Sequence, residues 1–189
     1  MNEVELLAHP DTPCVVIRRL STCAAWRSDG RLSLRYVIDA DTRNLRFAKP
    51  GGGRRRDELW RHTCFEAFLR SEDAPGYVEL NFSTSGDWAA YGFSGYRAGM
   101  SQIELPVPPV IRVDEDAGRL VLTTEVSFPP FHGTNRPPTR AGLTAVIEDV
   151  GGALSYWSAA HAPGKPDFHE PASMSYPIRR DDVARGAAA

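Results

Sequence analysis

The chain has 189 residues, with 22 Lys or Arg against 24 Asp or Glu and a formal charge of -2. That length suits one domain, and the near-balanced charge supplies no field to attract nucleic acid or an anionic membrane. No apolar run approaches the roughly 20 residues of a membrane helix. The expectation is one soluble domain over residues 1–189, with its motif-bearing core at about 31–178 and a frayed tail at 185–189.

The first residues, Met1-Asn2-Glu3-Val4-Glu5, carry acids where a secretory leader has Lys or Arg, which favours the cytoplasm. Cys14, Cys23 and Cys64 are odd in number and lack Cys-x-x-Cys spacing, so reduced buried thiols are expected rather than a disulfide framework or a zinc site. Apolar residues then recur with a period of two, the signature of strands buried on one face. Strands are predicted, in order, at Cys14–Leu20, Arg31–Asp39, Asn44–Phe47, Trp60–Arg70, Tyr77–Ser83, Trp88–Phe93, Val110–Val113, Arg119–Phe128, Leu143–Asp149 and Leu154–Ser158.

Turn chemistry at Asp29-Gly30, Ala74-Pro75-Gly76, Asp116-Ala117-Gly118 and Gly151-Gly152 separates these strands. A short helix is admitted only at Asp57–Trp60 or within the proline-rich segment Pro129–Ala141. Gly51-Gly52-Gly53-Arg54-Arg55-Arg56 reads as a solvated loop, since it lacks the Lys-Ser/Thr ending of a phosphate loop. The pattern predicts an all-β, antiparallel sandwich or barrel.

Chemistry is densest between Trp60 and Tyr91. With side chains alternating across the sheet, Cys64, Glu66 and Phe68 share one face of their strand, and Tyr77, Glu79 and Asn81 share one face of the next. Antiparallel pairing would bring Glu66 and Glu79 near one another, in a register that the sequence leaves open. Two such carboxyls among aromatics suit three tasks: glycoside hydrolysis across a cleft, binding of a cation such as calcium by about six or more oxygens, or hydrogen bonding to a sugar. The competing structural role pairs each Glu with an arginine, such as Arg35, Arg61 or Arg97.

Of the four tryptophans, Trp88 stands at a turn-to-strand boundary and Trp157 just before a long polar loop, positions where a ring can remain open to a ligand. That loop holds His161 and His169, whose spacing matches no zinc motif. No Gly-x-Ser-x-Gly elbow is present.

The series Glu58-Leu59-Trp60, Cys64 to Leu69, Tyr77 to Phe82 and Trp88, followed by Tyr156-Trp157 and Phe168-His169-Glu170-Pro171, resembles the DOMON-like domains related to type 9 carbohydrate-binding modules. The resemblance implies an immunoglobulin-like β-sandwich that binds a small molecule without catalysis, most often a sugar. The ligand-binding residues are then expected to be Glu66, Glu79, Asn81, Trp88, Tyr91, Trp157, His161 and His169. No cofactor or metal is expected for that role. The alternatives are a haem domain drawing on Met100, Met174, His161 or His169, a small hydrolase using Glu66 and Glu79 as acid and base, and a partner-binding structural domain.

Overall fold

A computed structural model of the chain describes residues 2–72, 75–128 and 137–181. Most of the segment expected to be irregular before Ala141, including His132, and the tail at 185–189 lie outside the described residues.

The described strands are β1 (Val4–Ala8), β2 (Ile17–Trp26), β3 (Leu32–Ala40), β4 (Cys64–Arg70), β5 (Tyr77–Phe82), β6 (Trp88–Phe93) and β7 (Ser101–Gln102). They continue as β8 (Val110–Asp116), β9 (Arg119–Val126), β10 (Arg140–Glu148), β11 (Leu154–Ser158), β12 (Tyr176–Pro177) and β13 (Arg179–Arg180). Among the described residues, helix is confined to single 3-10 turns at Thr42–Asn44, Leu59–Arg61 and Pro171–Ser173.

The all-β class expected from the period-two pattern is present, with one difference in architecture. The strands form one curled sheet in the order β7-β6-β5-β4-β10-β11-β1-β2-β3-β9-β8, with β12 on β10 and β13 on β2. The long ladders are antiparallel. β1 joins the two halves because Val4 to Leu6 pair with β2 while Leu7 and Ala8 pair with β11. A strand bonded to both halves leaves no gap between separate sheets.

The sheet closes on itself around apolar side chains from both halves. Leu32, Leu34, Tyr36 and Ile38 of β3 and Leu120 and Leu122 of β9 share a core with Phe65, Ala67 and Leu69 of β4 and Leu143, Ala145 and Ile147 of β10. Full burial of each large apolar side chain contributes about 1.5–3 kcal/mol, so this seam holds the curl shut. Leu34, Tyr36 and Ile38 lie opposite Thr124, Leu122 and Leu120, a register that keeps the apolar face inward.

The sequence expectation misses β1, and its strand Cys14–Leu20 begins three residues before β2 and stops six short of Trp26, because Ser21-Thr22-Cys23-Ala24-Ala25 has little apolar-polar alternation. Asn44–Phe47 is not a strand. Thr42–Asn44 turns as a 3-10 segment capped by Asp41, and only Leu45 makes an isolated bridge, to Asp149.

Candidate functional site

The half of the sheet built from β4, β5, β6 and β10 has apolar residues on both faces. One face packs into the main core. On the other, Phe68, Tyr77, Ala89, Tyr91, Phe93 and Val146 form a second cluster closed by Phe168 and Met174 from the C-terminal segment. That segment lies close because Gly142 leaves room: a Cβ there would stand 3.2 Å from the Ser173 carbonyl oxygen and 3.3 Å from Met174.

This second face forms the floor of a cavity of about 830 Å³. Glu66 and Phe68 reach it from β4, Glu79 from β5, and Tyr91 and Phe93 from β6. Its walls come from the turn carrying Asp57, Glu58 and Trp60, from Arg97 and Met100, and from the loop carrying Lys165, Phe168 and His169. The volume falls in the range of small-molecule sites, which are mostly apolar with a few convergent polar groups.

Antiparallel pairing places Phe68 opposite Glu79 and Glu66 opposite Asn81, so the two glutamates are diagonal neighbours on one face. Among the described residues, no arginine relieves their burial. Arg61 binds Glu58 at 2.7 Å, Arg97 binds Asp167 at 2.8 Å, and Arg35 approaches Glu3 at 4.0 Å, so the structural pairing weighed from the sequence is not formed. A third buried carboxylate shows the contrast: Glu148 is held by Arg46 at 2.6 Å and His62 at 2.7 Å.

Glu66 is only 3% exposed, and its Oε1 has no hydrogen-bond partner. Loss of hydration, reinforced by the neighbouring Glu79 and only partly opposed by the Cys64 thiol beside it, pushes its carboxyl well above the ordinary range. Glu79 is also raised by burial, while the bond from Asn81 and the charge of Arg97 oppose that shift. The Asn81 Nδ2 donates to Glu79 Oε1 at 2.7 Å.

His169 completes the polar group. Its Nδ1 is 2.7 Å from the Tyr77 hydroxyl, which also accepts from the Arg97 main-chain N–H at 3.2 Å. With the hydroxyl donating to Nδ1, the ring proton lies on Nε2, which is 3.8 Å from Glu79 Oε2. Burial lowers the imidazole to about 4 and keeps it neutral near pH 7. Its ring meets Phe68, Phe93 and Tyr77 edge-on, at centroid distances of 5.0, 5.2 and 5.8 Å.

The loop bearing His169 is tied down at Asp167, which accepts from Tyr96 at 2.5 Å and from Arg97 at 2.8 Å. On the opposite wall, the Tyr91 hydroxyl donates to Asp57 at 2.6 Å, and Arg55 lies over the Tyr91 ring while binding Asp57 at 2.9 Å.

Among the residues expected from the sequence, Glu66, Glu79, Tyr91 and His169 line this cavity. Asn81 is fully buried beside Glu79. Trp88 and Trp157 belong to the main core on the other face, each 6% exposed, so the sheet separates them from the cavity. His161 bonds to the Leu7 carbonyl at 2.8 Å and lines a neighbouring surface recess. The four residues considered for haem are dispersed: Met100 and His169 line the cavity, whereas Met174 is buried in the second cluster and His161 lies in that recess. Among the described residues, no group of three or more His, Cys, Asp or Glu side chains is arranged to hold a metal ion.

Among the described aromatic residues that line the cavity, Trp60 is the most exposed, at 45%, and Tyr156 is half-buried. Strand parity offered a signal for these placements. Trp88 and Tyr91 are three residues apart in β6 and so face opposite ways, and Trp157 alternates with Tyr156, the β11 residue that does line the cavity. The strand expected over Trp60–Arg70 begins only at Cys64, and Trp60, which that expectation put on the face of Glu66, stands instead in a 3-10 turn after Glu58, a residue with a positive φ of 63°.

No family model and no curated protein matches the chain. A solved structure from Bacteroides uniformis ATCC 8492, of a protein named as a candidate for carbohydrate binding, superposes with a TM-score of 0.58 at 15% identity. The match covers 91% of this chain and 84% of that one. At this identity the likeness establishes a shared fold.

Proposed function

We propose that this protein is a non-catalytic binding domain for a small hydroxylated ligand, a carbohydrate, held in the cavity over β4, β5 and β6. The observation that carries the reading is the combination within one cavity of two buried carboxyls without an arginine in contact among the described residues and the partly exposed Trp60 ring, which has Arg61 over one face. A sugar matches both features: its hydroxyls donate to carboxyl oxygens, while its C–H faces pack on aromatic rings. The structural neighbour named for carbohydrate binding adds modest support, as does the sequence resemblance to DOMON-like and type 9 carbohydrate-binding domains. On this reading the curled sheet is a variant of their sandwich.

Isothermal titration against neutral and amino-substituted mono- and disaccharides tests the proposal. Saturable binding lost in Trp60→Ala supports it. Silence across the panel refutes it.

A second reading is favoured by the raised Glu66 carboxyl beside Glu79, an arrangement that glycoside hydrolysis uses for its acid. Turnover of an aryl glycoside by the wild type, abolished in Glu66→Gln, would establish hydrolysis. Binding without turnover leaves the first reading in place.

A further inference from the structure

Across the cavity floor, register aligns Thr144 of β10 with Glu66 of β4, and Glu66 with Asn81 of β5. Each of these three neighbours has a buried side-chain oxygen with no hydrogen-bond partner: Thr144 Oγ1, Glu66 Oε1 and Asn81 Oδ1. All three can accept a hydrogen bond. Asn81 Oδ1 and an ionised Glu66 Oε1 can only accept, and the Thr144 hydroxyl can donate a single bond, so the row lacks at least one donor. Among them, Glu66 is the one that lines the cavity.

The charge around the row is unbalanced in the same sense. Among the described residues, Asp57, Glu58, Glu66 and Glu79 line the cavity with only Arg97 and Lys165 as permanent cations. The cavity's acids differ in their partners: Asp57 has Arg55 and Glu58 has Arg61, whereas Arg97 is committed to Asp167. Lys165 is exposed at the mouth. Glu66 and Glu79 are thus the carboxyls without a cation in contact, apart from the 3.8 Å approach of His169 to Glu79. Arginine already lies over Tyr91 (Arg55, 5.3 Å) and over Trp60 (Arg61, 5.4 Å), so a ligand cation would use the aromatic faces that those guanidinia leave uncovered.

We propose that the ligand of this cavity carries a protonated primary amine, and that Glu66 and Glu79 receive it as an ion pair. Taken with the carbohydrate reading on which it rests, this names the ligand class as amino sugars with a free amine. An ammonium supplies three donors and a positive charge, which favours the ionised form of carboxyls that burial otherwise biases toward protonation, while a neutral hydroxyl supplies one donor and no charge. An N-acetylated sugar lacks the cation and adds a carbonyl acceptor to a site that already has acceptors in excess.

The test is titration calorimetry on the full chain at pH 7 with glucose, glucosamine, N-acetylglucosamine, their β-1,4-linked disaccharides, and cyclohexylamine as an amine without hydroxyls. The expected result is glucosamine-type ligands binding at least ten-fold more tightly than their neutral and acetylated counterparts. That preference should collapse toward unity in Glu66→Gln and in Glu79→Gln, each checked for folding by circular dichroism. Equal or tighter binding of neutral or acetylated sugars overturns the amine inference and leaves the carbohydrate reading standing. Binding of cyclohexylamine with no response to any sugar retains the amine and removes the sugar. No binding by any ligand overturns both. A preference for the amine that persists unchanged in both variants also overturns the assignment to this pair.

Discussion

Tyr36 of β3 donates its hydroxyl to the main-chain carbonyl of Glu66 across the core, at 2.6 Å. The same residue whose carboxyl reaches the cavity on one face of β4 is thereby anchored from the opposite half of the curled sheet. The bond is buried, and the Tyr36 ring packs at 5.2 Å from Phe65. Replacing it with Tyr36→Phe keeps the ring and removes one buried bond, so a loss of about 1–2 kcal/mol is expected in urea denaturation. An unchanged midpoint would show that the bond contributes nothing.

Trp60 and Trp157 should separate binding from folding. Trp60→Ala is expected to leave the melting temperature within a few degrees of wild type and to weaken sugar binding about ten-fold, near 1.4 kcal/mol. Trp157→Ala removes a core ring and should cost about 3–5 kcal/mol of stability. Thermal melts paired with titrations measure both effects, and a reversal of the two profiles would move the ligand to the other face.

The buried glutamate pair sets a sign for pH dependence. The folded state holds Glu66 well above its ordinary value of 4.5. Unfolding therefore releases a proton wherever the unfolded carboxyl is ionised and the folded one is not. The associated stability is fully present below about pH 4.5 and declines as pH rises through the window up to the folded value. Glu66→Gln cannot ionise. Its urea midpoint should match wild type near pH 4 and exceed it increasingly at pH 6 and 8. A variant less stable than wild type at pH 8 would mean that the ionised carboxylate has a partner.

His169 carries the opposite dependence. Its folded value of about 4 lies below the ordinary 6.5, because burial disfavours the imidazolium. The stability it contributes is present above pH 6.5 and is lost as pH falls from there through about 4, since the unfolded ring takes up a proton first. Histidine NMR resonances followed from pH 3 to 8 should show one ring titrating near 4 that disappears from the spectrum in His169→Gln. Titration of that ring near 6.5 would contradict its buried contacts with Phe68, Phe93 and Tyr77.

Asp167 is the clamp of the loop that carries His169, and its partners Tyr96 and Arg97 are largely exposed. Exposed pairs contribute about 0–1 kcal/mol, so Asp167→Ala should change global stability little. Hydrogen exchange across residues 161–170 should rise, and ligand affinity should fall several-fold as the wall loosens. Unchanged exchange there would show that Phe168 packing alone fixes the loop.

What the sequence made legible was local. Alternation over residues 31–39 and 119–128 marked β3 and β9, and parity put Glu66 with Phe68 and Glu79 with Asn81 on shared faces, because side-chain direction in a strand follows from backbone geometry alone. The same parity separates Trp88 from Tyr91, a constraint that the expected site did not respect. The parity of the expected strand Trp60–Arg70 put Trp60 on the face of Glu66, but its exposure depends on where a 3-10 turn lands against the sheet, which that parity does not set.

The amino-acid sequence by itself determined an all-β chain and two carboxyls on neighbouring strand faces, consequences of a two-residue period and of turn residues between strands. Only the tertiary structure decided that these strands join through β1 into one curled sheet and that the carboxyls open into a cavity without arginine partners. Those outcomes depend on contacts between residues far apart in the chain. β3 packs behind β4, and the segment around Phe168 folds over β10 where Gly142 admits it. Long-range packing of this kind leaves no periodic trace in sequence, which is why the glutamates could be named early while their environment could not.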